Sequence, residues 1–368
     1  MKVDKNILFS EYNMRGLTLR NRVVMAPMTR NFSPKGVPHD YAPTYYARRA
    51  KGGVGLILTE GVEVSHPAAS GYPNCPNLES DQAKMMWEKV VKEVHANNSS
   101  IFCQLWHVGG FRKSGMPPFP EVPGFTPSGY MRPGKKVAHE MTNAEVKELI
   151  DIYAKDAKIC EELGFDGVEI HAAHGYLIDQ FFWDQINLRN DEYGGSLKNR
   201  TRFASEIIQS TKHMTSDNFK VGIRVSQWKQ HDYEAKITSK PEELDKFFQI
   251  LRNAGVDFIH CSNRRFWEGE FDPNGLNLAG IAKEATNLPT ISVGSVGLDK
   301  DFIKLYSGDD KTQTVDLEIL HEKLNKSEFD LIAVGRALLS DPDWANKVQD
   351  GLENEIIPFD KSYVENYV

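Results

Sequence analysis

Residues 167–200 read GVEIHAAHGYLIDQFFWDQINLRNDEYGGSLKNR. The stretch opens with GVEIH, a run with the length and β-branched content of a strand buried on both faces. His171 closes the run, and His174 and Tyr176 follow in the connecting loop. Similar runs lie on either side: residues 23–28 (VVMAPM), 54–60 (VGLILTE), 100–106 (SIFCQLW), 220–225 (KVGIRV), 257–262 (DFIHCS), 290–295 (TISVGS) and 331–336 (LIAVGR). Together they predict eight parallel strands. Strand count alone does not separate a closed barrel from an open doubly wound sheet. The placement of reactive side chains does: Thr29, Glu60, Gln104, Trp106, His171, Arg224 and Arg336 fall at or near the C-terminal ends of these runs. That is the face on which a (β/α)8 barrel carries its chemistry. The expectation is an α/β fold, a (β/α)8 TIM barrel forming one domain over residues 1–368, with loop insertions.

Helical patterns fall between the runs. From Thr142, a capping box with Glu145 precedes Val146, Leu149, Ile150, Tyr153, Ala154 and Ala157 on one apolar face. A second box, Ser239 with Glu242, leads into Leu244, Phe247, Phe248 and Leu251 before Gly255. Residues 109–136, rich in Pro and Gly, and residues 308–326, strongly charged, read as insertions; the first follows the third strand at the active-site end and is a candidate lid.

The 368 residues are 40% hydrophobic and 26% charged, a globular balance. A net charge of −7 without a basic run argues against nucleic acid as a partner. The opening MKVDKNILFSEY has no apolar signal segment, and no stretch keeps about 20 apolar residues, so membrane association is not expected. Cys75, Cys103, Cys160 and Cys261 are scattered, which fits reduced thiols in a cytoplasmic protein and supplies neither a disulfide framework nor an iron–sulfur site.

Three proton-handling side chains, His171, His174 and Tyr176, stand within six positions. A zinc site needs a third protein ligand, and none lies at a fixed spacing, so no metal is predicted. The plainer alternative is that both histidines hydrogen-bond backbone at a strand end. Gly294–Ser295 and Gly335–Arg336 close the seventh and eighth runs, where barrels bind phosphate: glycines let backbone N–H groups approach, and an arginine offers a charge-assisted fork. These features alone also suit a flavin-free phosphosugar lyase or isomerase using His171 as acid/base.

A wider pattern separates these readings. RNRVVMAPMTR, YYARRAKGGVGLILTEG, QLWHVGG, EIHAAHGYLIDQFFWDQINLRNDEYGGSLKNRTRF, VGIRVS, VGSV and AVGRALLSDPDWANK occur in this order along almost the whole chain. In these pieces the chain resembles the Old Yellow Enzyme family of FMN-dependent ene-reductases. The resemblance implies FMN as cofactor and NADH or NADPH as hydride donor. It implies that Thr29 meets the flavin C4 carbonyl region, Gln104 pairs with the pyrimidine ring and Arg224 stabilises the anionic reduced flavin. Ala26, Pro27, Met28 and Gly61 would pack against the cofactor, and Gly294, Ser295, Gly335 and Arg336 would hold its phosphate. His171 and His174 would bind the oxygen of an enone or nitro compound, and Tyr176 would give a proton to the α carbon as hydride reaches the β carbon. Trp106 would shape the substrate pocket, and Phe266, Trp267, Tyr363 or Tyr367 would line its mouth.

Two departures bear on the loops. The chain reads His107-Val108-Gly109-Gly110 where many relatives carry an arginine, and Ser226-Gln227-Trp228-Lys229 where they often read Ser-Pro. Amine oxidation or demethylation on the same barrel remains an alternative direction of chemistry. The partner expected is a small enone or nitro compound, with homodimer formation left open.

Overall fold

The computed structural model describes residues 3–300 and 311–367. Eight strands, β1 (Val23–Met25), β2 (Leu56–Glu63), β3 (Ser100–Trp106), β4 (Gly167–His174), β5 (Lys220–Lys229), β6 (Phe258–Ser262), β7 (Thr290–Val293) and β8 (Leu331–Val334), close into a barrel. Neighbours run parallel throughout, and β8 pairs back to β1. This is the (β/α)8 barrel that the strand-end chemistry predicts.

Alternation along each strand sorts the side chains into two layers. On β4, Val168, Ile170 and Ala172 join the large apolar layer between strands and helices. The residues between them, Glu169 and His171, face the barrel axis. Inside, the lower layers are apolar, built from Val24, Leu56, Phe102, Phe258, Ile291 and Leu331. An antiparallel hairpin, Tyr12–Met14 with Leu17–Leu19, packs Met14 and Leu19 into this cluster and plugs the end away from the site. The upper layers turn polar.

Strand ends differ from the sequence-based expectation. β1 leaves the ladder at Met25, although Ala26 still donates to the Val334 carbonyl at 2.9 Å; Pro27 then has no N–H to continue. β4 and β5 run past His171 and Val225, and between them Ala172 pairs with Val225 but His174 with Lys229. β5 therefore carries extra residues, a bulge that re-aims the loop.

Helix Asn143–Glu162 forms with the predicted Thr142–Glu145 capping box intact. The second predicted box does not form. Helix Pro241–Asn253 starts with proline in its first turn, and Thr238 Oγ1 donates to Glu243 at 2.9 Å in place of any Ser239–Glu242 pairing. Nor is residues 308–326 an insertion throughout: Glu318–Asn325 is a helix of the β7–β8 crossover, burying Leu320 and Leu324. Its charged composition hid the short apolar face; residues 308–310 lie outside the described residues.

Gly222 faces the barrel interior, where an added Cβ would enter the Phe258 ring. Gly222→Ala should cost about 1–3 kcal/mol by overpacking, with partial recovery in Gly222→Ala/Phe258→Leu. Urea unfolding midpoints of the two variants at fixed cofactor concentration check this.

Candidate active site

The C-terminal strand ends surround a cavity of about 280 Å³. Ala26, Pro27, Met28 and Thr29, from the turn after β1, border it, as do Gln104, Trp106, His171, His174, Tyr176 and Arg224. Gly294, Ser295, Gly335 and Arg336 border it from the ends of β7 and β8. Gly61 does not border it: a Cβ there would stand 2.5 Å from Trp106 Cε3, so this glycine seats the indole instead. Glu60 turns away, accepting from the Arg30 N–H at 2.9 Å, and burial raises its carboxyl to about 7.

The mouth-lining aromatics predicted from sequence are elsewhere. Phe266 belongs to the outer core with Trp267 packed on it. Tyr367 stacks on Tyr45 at 4.7 Å, and Arg30 ties down the tail by donating to the carbonyls of Tyr363, Val364 and Asn366. Trp228, Gln230, Ser262, Asn263 and Arg264 line the cavity without having been expected. The polar run Ser262–Arg265 directly after β6 is the signal that could have found three of them.

Beneath the cavity a carboxylate is enclosed in the barrel. Glu169 accepts from Gln104 Nε2 at 2.7 Å and from His260 Nδ1 at 2.6 Å. Burial lowers the His260 pKa despite Glu169, so this imidazole is neutral and donates from Nδ1. Arg224 is nearby and buried, and its Nη2 donates to Ser262 Oγ at 3.3 Å. Its Nε has no hydrogen-bond partner among the described residues. A buried guanidinium with an unused N–H at a cavity wall calls for an acceptor there. At the far end, Arg264 and Arg336 flank Gly294–Ser295, and both Gly294 (φ 147°) and Ser295 (φ 53°) have positive φ. A side chain at 294 would meet the Asn263 carbonyl at 2.7 Å, so the close approach requires glycine. Cationic phosphate end, uncharged-donor middle and buried cation fit the phosphate and the electron-poor ring of FMN.

The two histidines are neutral. Burial, then the Arg224 charge, pushes both pKa values well below the ordinary imidazole value. Ala173 N–H donates to His171 Nδ1 at 3.3 Å, which places the His171 proton on Nε2. Ser262 Oγ already accepts from Arg224, so its own proton can go to His174 Nε2 at 2.8 Å, leaving the His174 proton on Nδ1. His174 takes φ 65°, rare for a residue with a side chain, and stacks on Trp228 at 4.5 Å. Its backbone N–H donates to Ser226 Oγ at 2.9 Å. Next to it, Asp179 accepts from Gly175 N–H and from Lys229 Nζ, both at 2.6 Å, and the Lys229–Asp179 pair is fully buried. The strained turn carrying His174 and Tyr176 is thus pinned to the bulge of β5.

Tyr176 is 5% exposed, and burial holds its hydroxyl well above the ordinary phenol pKa. Its ring lies 5.0 Å from His171, edge to face. Phe111, from the 109–136 segment, packs against it at 5.0 Å. That segment holds its shape through Arg112, which donates to the carbonyls of Ser70, Met116, Phe119 and Val122 at 2.7–3.0 Å. Among the described residues no His, Cys, Asp and Glu side chains gather in a group able to hold a metal ion, and no helix is long and apolar enough to cross a membrane.

Barrel, cationic cavity end and buried guanidinium suit a flavin-dependent oxidoreductase, and the comparison with known proteins gives that class. The model of the NADH:flavin oxidoreductase / NADH oxidase family matches residues 7–355, and the chain belongs to this family, that of Old Yellow Enzyme, with FMN as cofactor and nicotinamide nucleotide as hydride donor. It is similar to 12-oxophytodienoate reductase 2 of Arabidopsis thaliana, 33% identical over 355 residues, covering 93% of this chain and 88% of the relative. A 40% identical stretch of 251 residues, 67% of this chain, matches 63% of putative 12-oxophytodienoate reductase 6 of Oryza sativa subsp. japonica. The chain spans about half, 52%, of the NADH oxidase of Thermoanaerobacter brockii, at 30% identity over 364 residues, or 95% of this chain. Among solved structures, morphinone reductase in complex with tetrahydroNAD superposes with a TM-score of 0.81 at 25% identity, covering 97% of this chain and 93% of that one.

Removing one member of the Lys229–Asp179 pair strands a buried charge. Asp179→Asn should destabilise by about 3–5 kcal/mol, whereas Asp179→Leu with Lys229→Met should recover part of this in denaturant midpoint and stay about 1–3 kcal/mol below wild type, because the Gly175 N–H loses its acceptor.

Proposed function

We propose that the protein reduces the activated C=C bond of α,β-unsaturated carbonyl or nitro compounds with electrons from NADH or NADPH. The observation that carries this reading is the meeting of two neutral imidazole donors, His171 and His174, with a protonated phenol, Tyr176, at one cavity wall. FMN, when bound, would supply the hydride-transfer chemistry between nicotinamide and substrate. Thr29 and Gln104 would hold its ring, Arg224 would balance the negative charge of reduction, and Ser295 and Arg336, with Gly294 and Gly335, would hold its phosphate. Gln104 is oriented for this: Glu169 takes an N–H of its amide, which turns the amide oxygen the other way.

His171 and His174 then bind the substrate oxygen. Neutral N–H donors suit an oxygen that gains charge during the reaction, because they polarise it without becoming acids themselves. Tyr176 holds the proton destined for the α carbon; its raised pKa keeps the phenol protonated at neutral pH. Since both histidine pKa values are depressed far below 6.5, oxygen binding should not titrate between pH 6 and 8.

Two measurements test this reading. Titrating p-hydroxybenzaldehyde into the oxidised holoenzyme should produce a long-wavelength charge-transfer band, and His171→Ala/His174→Ala should weaken it at least tenfold in affinity. An unchanged band removes the histidines from the oxygen site. In stopped flow, Tyr176→Phe should reduce its FMN with NAD(P)H near the wild-type rate but reoxidise with 2-cyclohexenone about 10²–10⁴-fold more slowly. Equal slowing of both halves would mean disturbed cofactor geometry instead of a missing proton.

A further inference from the structure

Tyr176 can deliver one proton, and being 5% exposed it must regain another through its neighbours. Its hydroxyl oxygen accepts from Gln230 Nε2 at 2.8 Å and lies 3.2 Å from the hydroxyl of Tyr72. Tyr72 is half-buried, so the pair runs from the cavity wall towards solvent.

Tyr72 is held in place from three sides. Its ring stacks on Trp106 at 5.5 Å and 19°. The chain before it is fixed by Arg112 Nη1, which donates to the Ser70 carbonyl at 2.7 Å, and by Val108 N–H donating to Ala69 O at 3.1 Å. The chain after it is fixed by Ser33 N–H donating to the Asn74 carbonyl at 2.8 Å. Gly71 lets the loop lie against Val108, where a Cβ would come to 2.5 Å. The loop after β2 thus presents one hydroxyl to Tyr176.

We propose that Tyr72 is a proton-relay residue that recharges Tyr176 during alkene reduction. The relay takes Tyr72 as the donor of the hydroxyl pair; with Gln230 also donating to the Tyr176 oxygen, the Tyr176 proton is then left pointing into the cavity. As the α carbon uses its electron pair to bond the Tyr176 proton, the Tyr176 O–H bond breaks. The Tyr72 proton moves onto the Tyr176 oxygen, and a water at the solvent side returns a proton to Tyr72. Charge does not accumulate on a buried phenolate, whose formation burial makes costly. The inference rests on Tyr176 as the proton donor.

The test uses the holoenzyme, reduced anaerobically and mixed with 2-cyclohexenone in stopped flow across H₂O/D₂O mixtures. Wild type should show a bowed proton inventory, two protons in flight. Tyr72→Phe keeps the ring on Trp106 but lacks the hydroxyl; it should reoxidise about 5–50-fold more slowly with a linear inventory, and its reduction by NAD(P)H should be unchanged. In a Tyr176→Phe background the same substitution should have no further effect, because the relay then has nothing to recharge. A role in packing alone would slow Tyr72→Phe without changing the shape of the inventory, and would persist in the Tyr176→Phe background; either result overturns the relay. A full-rate Tyr72→Phe with the wild-type inventory also overturns it while Tyr176→Phe stays slow. If Tyr176→Phe itself reoxidises at full speed, the donor assignment falls and the relay with it.

Discussion

A carboxylate sealed inside a barrel must be matched by donors, and the arrangement of the site follows from how Glu169 is matched. Its two oxygens take an N–H from Gln104 on β3 and one from His260 on β6, so the requirement reaches across the barrel. Both donors are uncharged. The Arg224 guanidinium, buried nearby and attracted to Glu169, still has an N–H without a hydrogen-bond partner among the described residues, and in the proposed reaction it would answer the negative charge a flavin gains on reduction. After burial, the same cation is the next influence that depresses His171 and His174. The two histidines, Arg224 and the barrel interior are in this way one electrostatic system.

Loop geometry is the second layer of control. The bulge between Val225 and Lys229 supplies Ser226, Trp228 and Lys229, each of which acts on the turn after β4: a hydroxyl for the His174 amide, an indole face for its ring, and an ammonium for Asp179. A left-handed conformation at a histidine is unfavourable by itself, and these contacts over-determine it. The stretch 226–229, which departs from the family pattern, therefore fixes the turn that carries His174 and Tyr176. Similarly, the absence of an arginine in His107–Gly110 does not leave the next segment loose, because Arg112 two positions on gathers four carbonyls of that segment and its neighbour.

The barrel was legible because strands covered on both faces leave uninterrupted apolar runs, and because reactive residues end those runs on one side. That Gly294, Ser295, Gly335 and Arg336 share one cavity with His171, His174 and Tyr176 was legible for the same reason. Glu169 and His260 were not singled out, although each interrupts the apolar middle of its run, GVEIH or DFIHCS, and the inward half of the alternation is where such a residue must sit. Tyr72 and Gln230 could not be placed by local pattern at all. Their positions depend on which loops closure brings together, and Tyr72 meets Tyr176 across 104 residues of chain. The helix at Glu318–Asn325 was missed because exposed charge outnumbers the few apolar positions it buries.

The hairpin that plugs the barrel floor has a consequence for synthesis. Met14 and Leu19 are made before any barrel strand, yet the cluster they join also includes Leu331 and Ala333, made some three hundred residues later. Further out, Asp4 N–H donates to Asn325 and Arg22 donates to the Asp330 carbonyl, again joining the two extremes of the chain. During translation the apolar side of this hairpin must wait exposed while some three hundred residues are added. The growing chain consequently carries an unsatisfied adhesive surface ahead of its barrel strands, a defined segment for chaperones to shield until the eighth strand closes the ring.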